Sequence, residues 1–345
     1  MKLTQKIQKA INIASKLHLG QIRKGEGDLP YISHPYSVAC ILSEYTNNED
    51  IIVAGILHDV LEDVKGYYYA DLAKEFGEEV AKIVKGVSED KDPNIENDEK
   101  ATWEKRKNKY LDNLKDESQE SMMVCCADKI HNLRSMIEAY KQQGDKLWER
   151  FNSPADKKIW FYEEVLDILK GKINSKIVKA LEHEISIIKE LMNKYQQELF
   201  IGFTMSESGD FFVRLINNSH VCYSKVKIFT GAYMSMDDDL LETSKVVRSR
   251  GELKPKSFIQ IDKSDWDELD FIIWYHLDFY NDKGQLVKKS WFQLPKYGLG
   301  YDENELMLPI VQEKGVIIEL DERDGEVIDE IVDHTDMNSK LHKRD

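Results

Sequence analysis

Over the first 200 residues apolar side chains recur at steps of three and four, and beyond that point at steps of two. Ile7, Ala10, Ile11, Ala14 and Leu17 make one stripe along a first helix. Residues 20–30 form a glycine- and charge-rich loop. A second helix follows Pro35, with Val38, Ala39, Ile41 and Leu42 on its buried side. Residues 50–63 predict a third, unusually apolar helix, and 72–87 one or two more. The polar run 88–99, with its proline, reads as a surface loop. Helices are then expected over 100–114, 118–141, 155–170 and 174–199. The last is amphipathic through Ile177, Leu181, Ile185, Ile188, Leu191, Met192 and Tyr195.

The change of period marks a change of architecture. Phe211, Val213 and Leu215 alternate with polar neighbours, and Asn217-Asn218 offers a turn. Residues 221–229 alternate again. Segments 271–280 and 286–294 flank Asn281-Asp282-Lys283-Gly284, a strong hairpin signal. A further strand is expected at 315–320, and an acidic, frayed tail from Asp321. Six or seven strands without helical patterning predict an antiparallel sandwich. The expected fold class is α+β and multidomain. A helical bundle over 1–199 precedes a β-sandwich over 200–325 and an acidic tail over 326–345.

A length of 345 residues agrees with two domains. The formal charge of −15 argues against general nucleic-acid binding or an anionic membrane surface. Residues 1–200 carry 30 basic and 35 acidic side chains, against 18 and 28 in 201–345, so a phosphorylated ligand is expected in the first half. Cys40, Cys125, Cys126 and Cys222 show no CxxC spacing and read as reduced core residues. The N-terminus interrupts its apolar residues every turn, unlike a signal peptide or membrane span. A cytoplasmic protein is expected.

The chemistry is concentrated in three places. In VAGILHDVLED (53–63), Glu62 lies four residues after His58 and Asp63 four after Asp59, so four ionisable groups crowd one end of an apolar segment. They are either a solvated helix end or carboxylates compensated by a divalent cation. In PYISHP (30–35), His34 sits at a chain corner before Pro35. In MMVCCADKIHNL (122–133), Asp128 interrupts an apolar helix and needs a metal or a buried cation. His131 reads as a structural hydrogen bonder outside the site. Two imidazoles and two carboxylates suit Mn²⁺, Fe²⁺ or Zn²⁺ better than Mg²⁺. The expected cofactor is a divalent metal, with Mn²⁺ preferred among the three.

This ordered set resembles the HD superfamily of metal-dependent phosphohydrolases. Arg23-Lys24-Gly25, PYISHP, AGILHDVLED and ADKIHNLR (127–134) narrow the likeness to the hydrolase domain of RelA/SpoT-type alarmone enzymes, over about residues 1–170. TWEKRKNKYL (102–111) is similar to a segment of small bacterial HD proteins. The resemblance implies that His34, His58, Asp59 and Asp128 ligate the metal. Glu62 and Asp63 would position or deprotonate the attacking water. Arg23, Lys24 and Asn132 would hold the nucleotide, and Lys129 and Arg134 would face its phosphates or form ion pairs. Of the basic run 105–109, Arg106 or Lys107 is the candidate to reach a phosphate, while Trp103 and Tyr110 read as packing residues.

The implied activity is hydrolysis of the 3′-pyrophosphate of guanosine-3′,5′-bis(diphosphate). Two alternatives stay open: another phosphorylated nucleotide or dinucleotide as substrate, or a nucleotide sensor signalling through the β domain. In that domain Trp266, Trp274, Tyr275, Phe279, Trp291 and Phe292 read mainly as core, with a partner-binding face as the alternative. Asp237-Asp238-Asp239 reads as a polar loop and not a Ca²⁺ site.

Overall fold

The computed structural model describes residues 2–23, 28–89, 99–206, 208–236, 239–264, 271–295 and 305–322. The chain divides into two compact units, Met1–Tyr195 and Gln196–Asp345.

The first unit is helical: α1 (Gln5–Leu17), α2 (Ser33–Tyr45), α3 (Glu49–Leu57), α4 (Val60–Asp63), α5 (Tyr69–Phe76), α6 (Glu78–Val87), α7 (Glu99–Lys115), α8 (Gln119–Gln143), a 3-10 segment Gly144–Arg150, α9 (Ala155–Leu169) and α10 (Ser175–Gln196). Helix α3 is buried at every residue from Ile51 to Leu57, which is why its sequence has no polar face. Asn48 caps it by accepting the Asp50 N–H. Gly55 lets α2 lie close, since a Cβ there would run into the Leu42 side chain. That approach brings His34, at the start of α2, to His58 at the end of α3. The single helix expected over 50–63 is corrected. It closes after Leu57, His58 and Asp59 make a turn of helical backbone angles, and α4 restarts at Val60.

The second unit holds, among its described residues, strands β1 (Leu199–Met205), β2 (Phe211–Asn217), β3 (Lys225–Met236), β4 (Asp239–Glu242), β5 (Val246–Arg250), β6 (Ser257–Ser264), β7 (Ile272–Tyr280), β8 (Leu286–Leu294), β9 (Leu306–Met307), β10 (Lys314–Glu319) and β11 (Asp321–Glu322). They pair antiparallel in two sheets. One has the order β6-β2-β1-β10-β9; the other has β11-β8-β7-β3-β4, with β5 also on β3. Ile201, Phe203, Val213 and Leu215 of the first sheet share one core with Ile228, Leu277, Phe279 and Phe292 of the second, so the pair is a sandwich. Asp262 on β6 joins the sheets across their edge, accepting from Arg248 on β5 and Tyr275 on β7.

The strand count exceeds the six or seven expected. Strand β1 lies between β2 and β10 and is buried on both faces, so LFIGFTM shows no alternation. The hairpin at 281–284 is present, with Gly284 at φ 72° donating its N–H to the Asn281 carbonyl. Asp321 is not frayed: it pairs with Trp291 in β11. Residues 323–345, Trp266, Asp237 and Asp238 lie outside the described residues. Cys125 and Cys126 are buried as expected, but Cys40 and Cys222 are exposed, each on an outward-facing position. Among the described residues no helix is long and apolar enough to cross a membrane.

Candidate active site

Four side chains from three segments meet on the floor of a cavity of about 160 Å³ in the helical unit. His34 Nε2 lies 3.2 Å from His58 Nε2. Asp59 Oδ2 lies 3.0 Å from His58 Nε2 and 3.7 Å from His34 Nε2. Asp128 Oδ1, from α8, lies 3.0 Å from His34 Nε2 and 3.8 Å from His58 Nε2. His34, His58 and Asp59 each offer an atom within 4.8 Å of the others.

The electrostatics of this floor call for a cation. Burial by itself would lower the basicity of His58, but Asp59 and Asp128 outweigh it and hold the imidazole well above its ordinary value. Burial lowers that of His34. Asp59 is held below the usual carboxylate range, its burial opposed by His58 and His34. Asp128 is likewise low, its burial overcome by Lys129 and both histidines. A proton shared among two imidazoles and two carboxylates meets this demand in part. A divalent ion would meet it more fully, and an N₂O₂ donor set suits one.

The surroundings fix how these groups point. His58 Nδ1 sits 2.8 Å from the Gly55 carbonyl, so a proton there leaves Nε2 facing the floor. His34 Nδ1 sits 2.8 Å from His131 Nδ1. Burial and the charges of His34 and Arg23 push His131 down to about 4, so it is neutral and can accept that proton. Asp128 is held by Lys129 at 2.6 Å on Oδ2 and by Asn132 at 2.6 Å on Oδ1. Arg23 reaches over Asn132 and Ser135, 3.4 Å from each, with its guanidinium 6.0 Å from the Tyr31 ring centroid.

The walls carry opposite charges. Glu62 and Asp63 line one side; Arg23, Lys107 and Lys129 also line the cavity. The Tyr31 hydroxyl donates to Asp59 Oδ2 at 2.7 Å and lies 3.3 Å from Asp63 Oδ2. Glu62 Oε2 accepts the Glu89 N–H at 3.2 Å. The Glu89 carboxylate is gripped by Arg106 at 2.5 Å and Lys107 at 2.6 Å.

The structure therefore brings together His34, His58, Asp59, Asp128, Glu62, Asp63, Arg23, Lys129 and Asn132. Arg134 is not on the cavity wall; it pairs with Glu184 at 2.7 Å. Lys24 lies outside the described residues. Tyr110 is buried and donates to Cys125 Sγ, and Trp103 is buried against Phe161. Sequence reasoning missed Tyr31, although it stands in the PYISHP motif, and Glu89. It left out His131, which is a structural hydrogen bonder, but one bonded to His34.

A family model described as HD domain matches residues 10–154. The guanosine-3′,5′-bis(diphosphate) 3′-pyrophosphohydrolase MESH1 of Danio rerio is 35% identical over 137 residues, which are 39% of this chain and 70% of that protein. The chain belongs to the HD family of metal-dependent phosphohydrolases. A Streptomyces coelicolor GTP pyrophosphokinase is 34% identical over 142 residues, 41% of this chain. Of that longer relative the chain spans only 16%. A solved structure, described as a metazoan ortholog of SpoT that hydrolyzes ppGpp, is 25% identical, with a TM-score of 0.44 over 54% of this chain and 97% of its own. The HD match ends before the second unit begins, and the described residues that line the cavity lie within the HD match.

Proposed function

We propose that the HD unit hydrolyses the 3′-pyrophosphate of guanosine-3′,5′-bis(diphosphate), giving guanosine 5′-diphosphate and pyrophosphate. The cofactor would be a divalent cation, Mn²⁺ by preference, held by His34, His58, Asp59 and Asp128. The observation that carries the reading is the convergence of those four groups beneath a wall bearing Glu62 and Asp63. The name of the Danio rerio relative supplies the substrate.

When bound, the cation supplies Lewis-acid activation of water and of a phosphoryl oxygen. The protein groups then divide the remaining work. Glu62, held by the Glu89 N–H, accepts the proton of the attacking water, and Asp63 orients that water. Lys129 and Asn132 hold Asp128, and Tyr31 holds Asp59. Arg23 is placed to stack on a base or meet a phosphate, and Lys107 to meet a phosphate. Among the described residues the cavity lining comes from the first unit, and the second is left a role in partner choice or regulation.

The test is a panel of metals against phosphorylated nucleotides on the full chain, with Asp59→Asn and Glu62→Gln alongside. Asp59→Asn should lose metal and activity together. Glu62→Gln should keep metal and lose turnover by about 10²-fold or more, as expected for a proton-transfer group. Normal turnover by both variants would sink the reading. Wild type that binds the bis(diphosphate) but hydrolyses nothing with any metal would make the unit a sensor.

A further inference from the structure

Glu89 follows the end of α6 and places its carboxylate on the wall of the cavity. Arg106 and Lys107, adjacent on α7, both donate to it, one to each oxygen. Its side chain is 9% exposed, and those of the two cations are 24% and 20% exposed. Two cations thus converge on one carboxylate at that corner. The other cavity lysine, Lys129, is already matched at 2.6 Å by Asp128. The Lys107 ammonium also lies 5.0 Å from the Phe161 ring centroid, so it is fixed from below as well as in front.

This is the arrangement a phosphoryl group would take: an anion with several oxygens, forked between a guanidinium and an ammonium at the edge of a hydrolytic pocket. A carboxylate fills it with one charge; a phosphoryl terminus brings up to two and three acceptor oxygens. The Glu89 N–H can keep its bond to Glu62 while the carboxylate leaves.

We propose that Arg106 and Lys107 form a phosphoryl subsite which Glu89 occupies in the free protein, so that an anionic ligand binds by displacing the Glu89 carboxylate. Glu89 is thereby a specificity-determining residue. A diphosphate terminus outcompetes the single carboxylate charge, whereas a neutral or weakly charged ligand leaves it in place. The inference rests on the cavity being a phosphate-ester site, but not on which ester is cleaved or on any turnover.

Inorganic pyrophosphate is the probe, titrated calorimetrically into the full chain at a fixed Mn²⁺ concentration. Glu89→Gln should bind it about tenfold more tightly than wild type, because the cations no longer have to be released first. Lys107→Met should bind it about tenfold more weakly with metal uptake unchanged, and should cancel the gain when combined with Glu89→Gln. Circular dichroism confirms that each variant is folded. Equal or weaker binding by folded Glu89→Gln would overturn the proposal and make Glu89 a strut that positions the two cations. If Glu89→Gln does not fold, wild-type affinity in Lys107→Met overturns it independently. Binding is read directly, so failure of every nucleotide in the hydrolysis panel would count against the proposed activity and leave this inference standing.

Discussion

Tyr31 and Asp59 are joined by a 2.7 Å hydrogen bond from the phenol to Oδ2, the carboxylate oxygen that also faces His58. Burial, together with Asp59 and Asp63, pushes the phenol far above its ordinary range, so it remains a donor at any working pH. One hydroxyl proton cannot serve Asp59 and Asp63 at once, and the shorter distance assigns it to Asp59. Tyr31 therefore orients a candidate ligand from outside.

Tyr31→Phe removes that single donor and keeps the ring that packs against His18. The expected result is a loss of about tenfold or more in Mn²⁺ affinity, the usual cost of deleting an outer hydrogen-bond partner. Calorimetric titration of Mn²⁺ into the two proteins measures it. Unchanged affinity and unchanged turnover would show that the bond is incidental.

The helical unit was legible because each buried helix states its period. Ile177 to Tyr195 follow one face of α10, and the apolar run before His58 is the wholly buried α3. His58, Asp59 and Asp128 were legible because ionisable groups set in or at the end of an apolar run demand compensation. His34 stood out only at the chain corner of PYISHP and through the family resemblance. The break at His58-Asp59 was hidden, since both residues keep helical backbone angles and leave the local pattern intact. Glu89 was hidden for a different reason: its partners lie 17 and 18 residues away, on a helix whose basic run looks solvated. In the second unit, β1 escaped because burial on both faces erases alternation, while the turn at 281–284 declared itself through its glycine.

His131 gives the second prediction. Its Nδ1 lies 2.8 Å from His34 Nδ1, and as the acceptor it would hold the His34 proton there and leave His34 Nε2 facing the floor. His131→Leu removes the acceptor and should weaken Mn²⁺ binding by about 10–100-fold. His131→Asn, which retains an acceptor oxygen, should recover part of the loss. Equal affinities in wild type and His131→Leu would mean that His34 needs no such partner.

Lys158 on α9 predicts a pH dependence. Burial, then the charges of Lys107 and Lys129, push its ammonium down to about 8 from 10.5. Between those values the unfolded chain holds a proton that the folded protein has released, so this group makes stability rise as pH rises. Below about 8 both states are protonated and the burial cost is borne in full. The stability of wild type relative to Lys158→Met should therefore improve from pH 8 to 10.5, read by urea unfolding at each pH. A difference that stays flat across that window would show that Lys158 titrates normally.

The last prediction concerns the division of labour between the two units. Among the described residues, those lining the cavity fall between Arg23 and Asn132, inside the unit that ends at Tyr195. Residues 1–200 carry 30 basic against 35 acidic side chains and residues 201–345 carry 18 against 28, so the second unit repels a polyphosphate more than it attracts one. Helix α10 closes on its own unit through Ile177, Leu181, Ile185 and Ile188. A chain ending at Gln196 should therefore fold, bind Mn²⁺ and keep the kcat/KM of the full chain on the best substrate of the panel. If it stays folded by circular dichroism and keeps its metal, yet loses nearly all activity, the β-sandwich completes the active site and its role is catalytic after all.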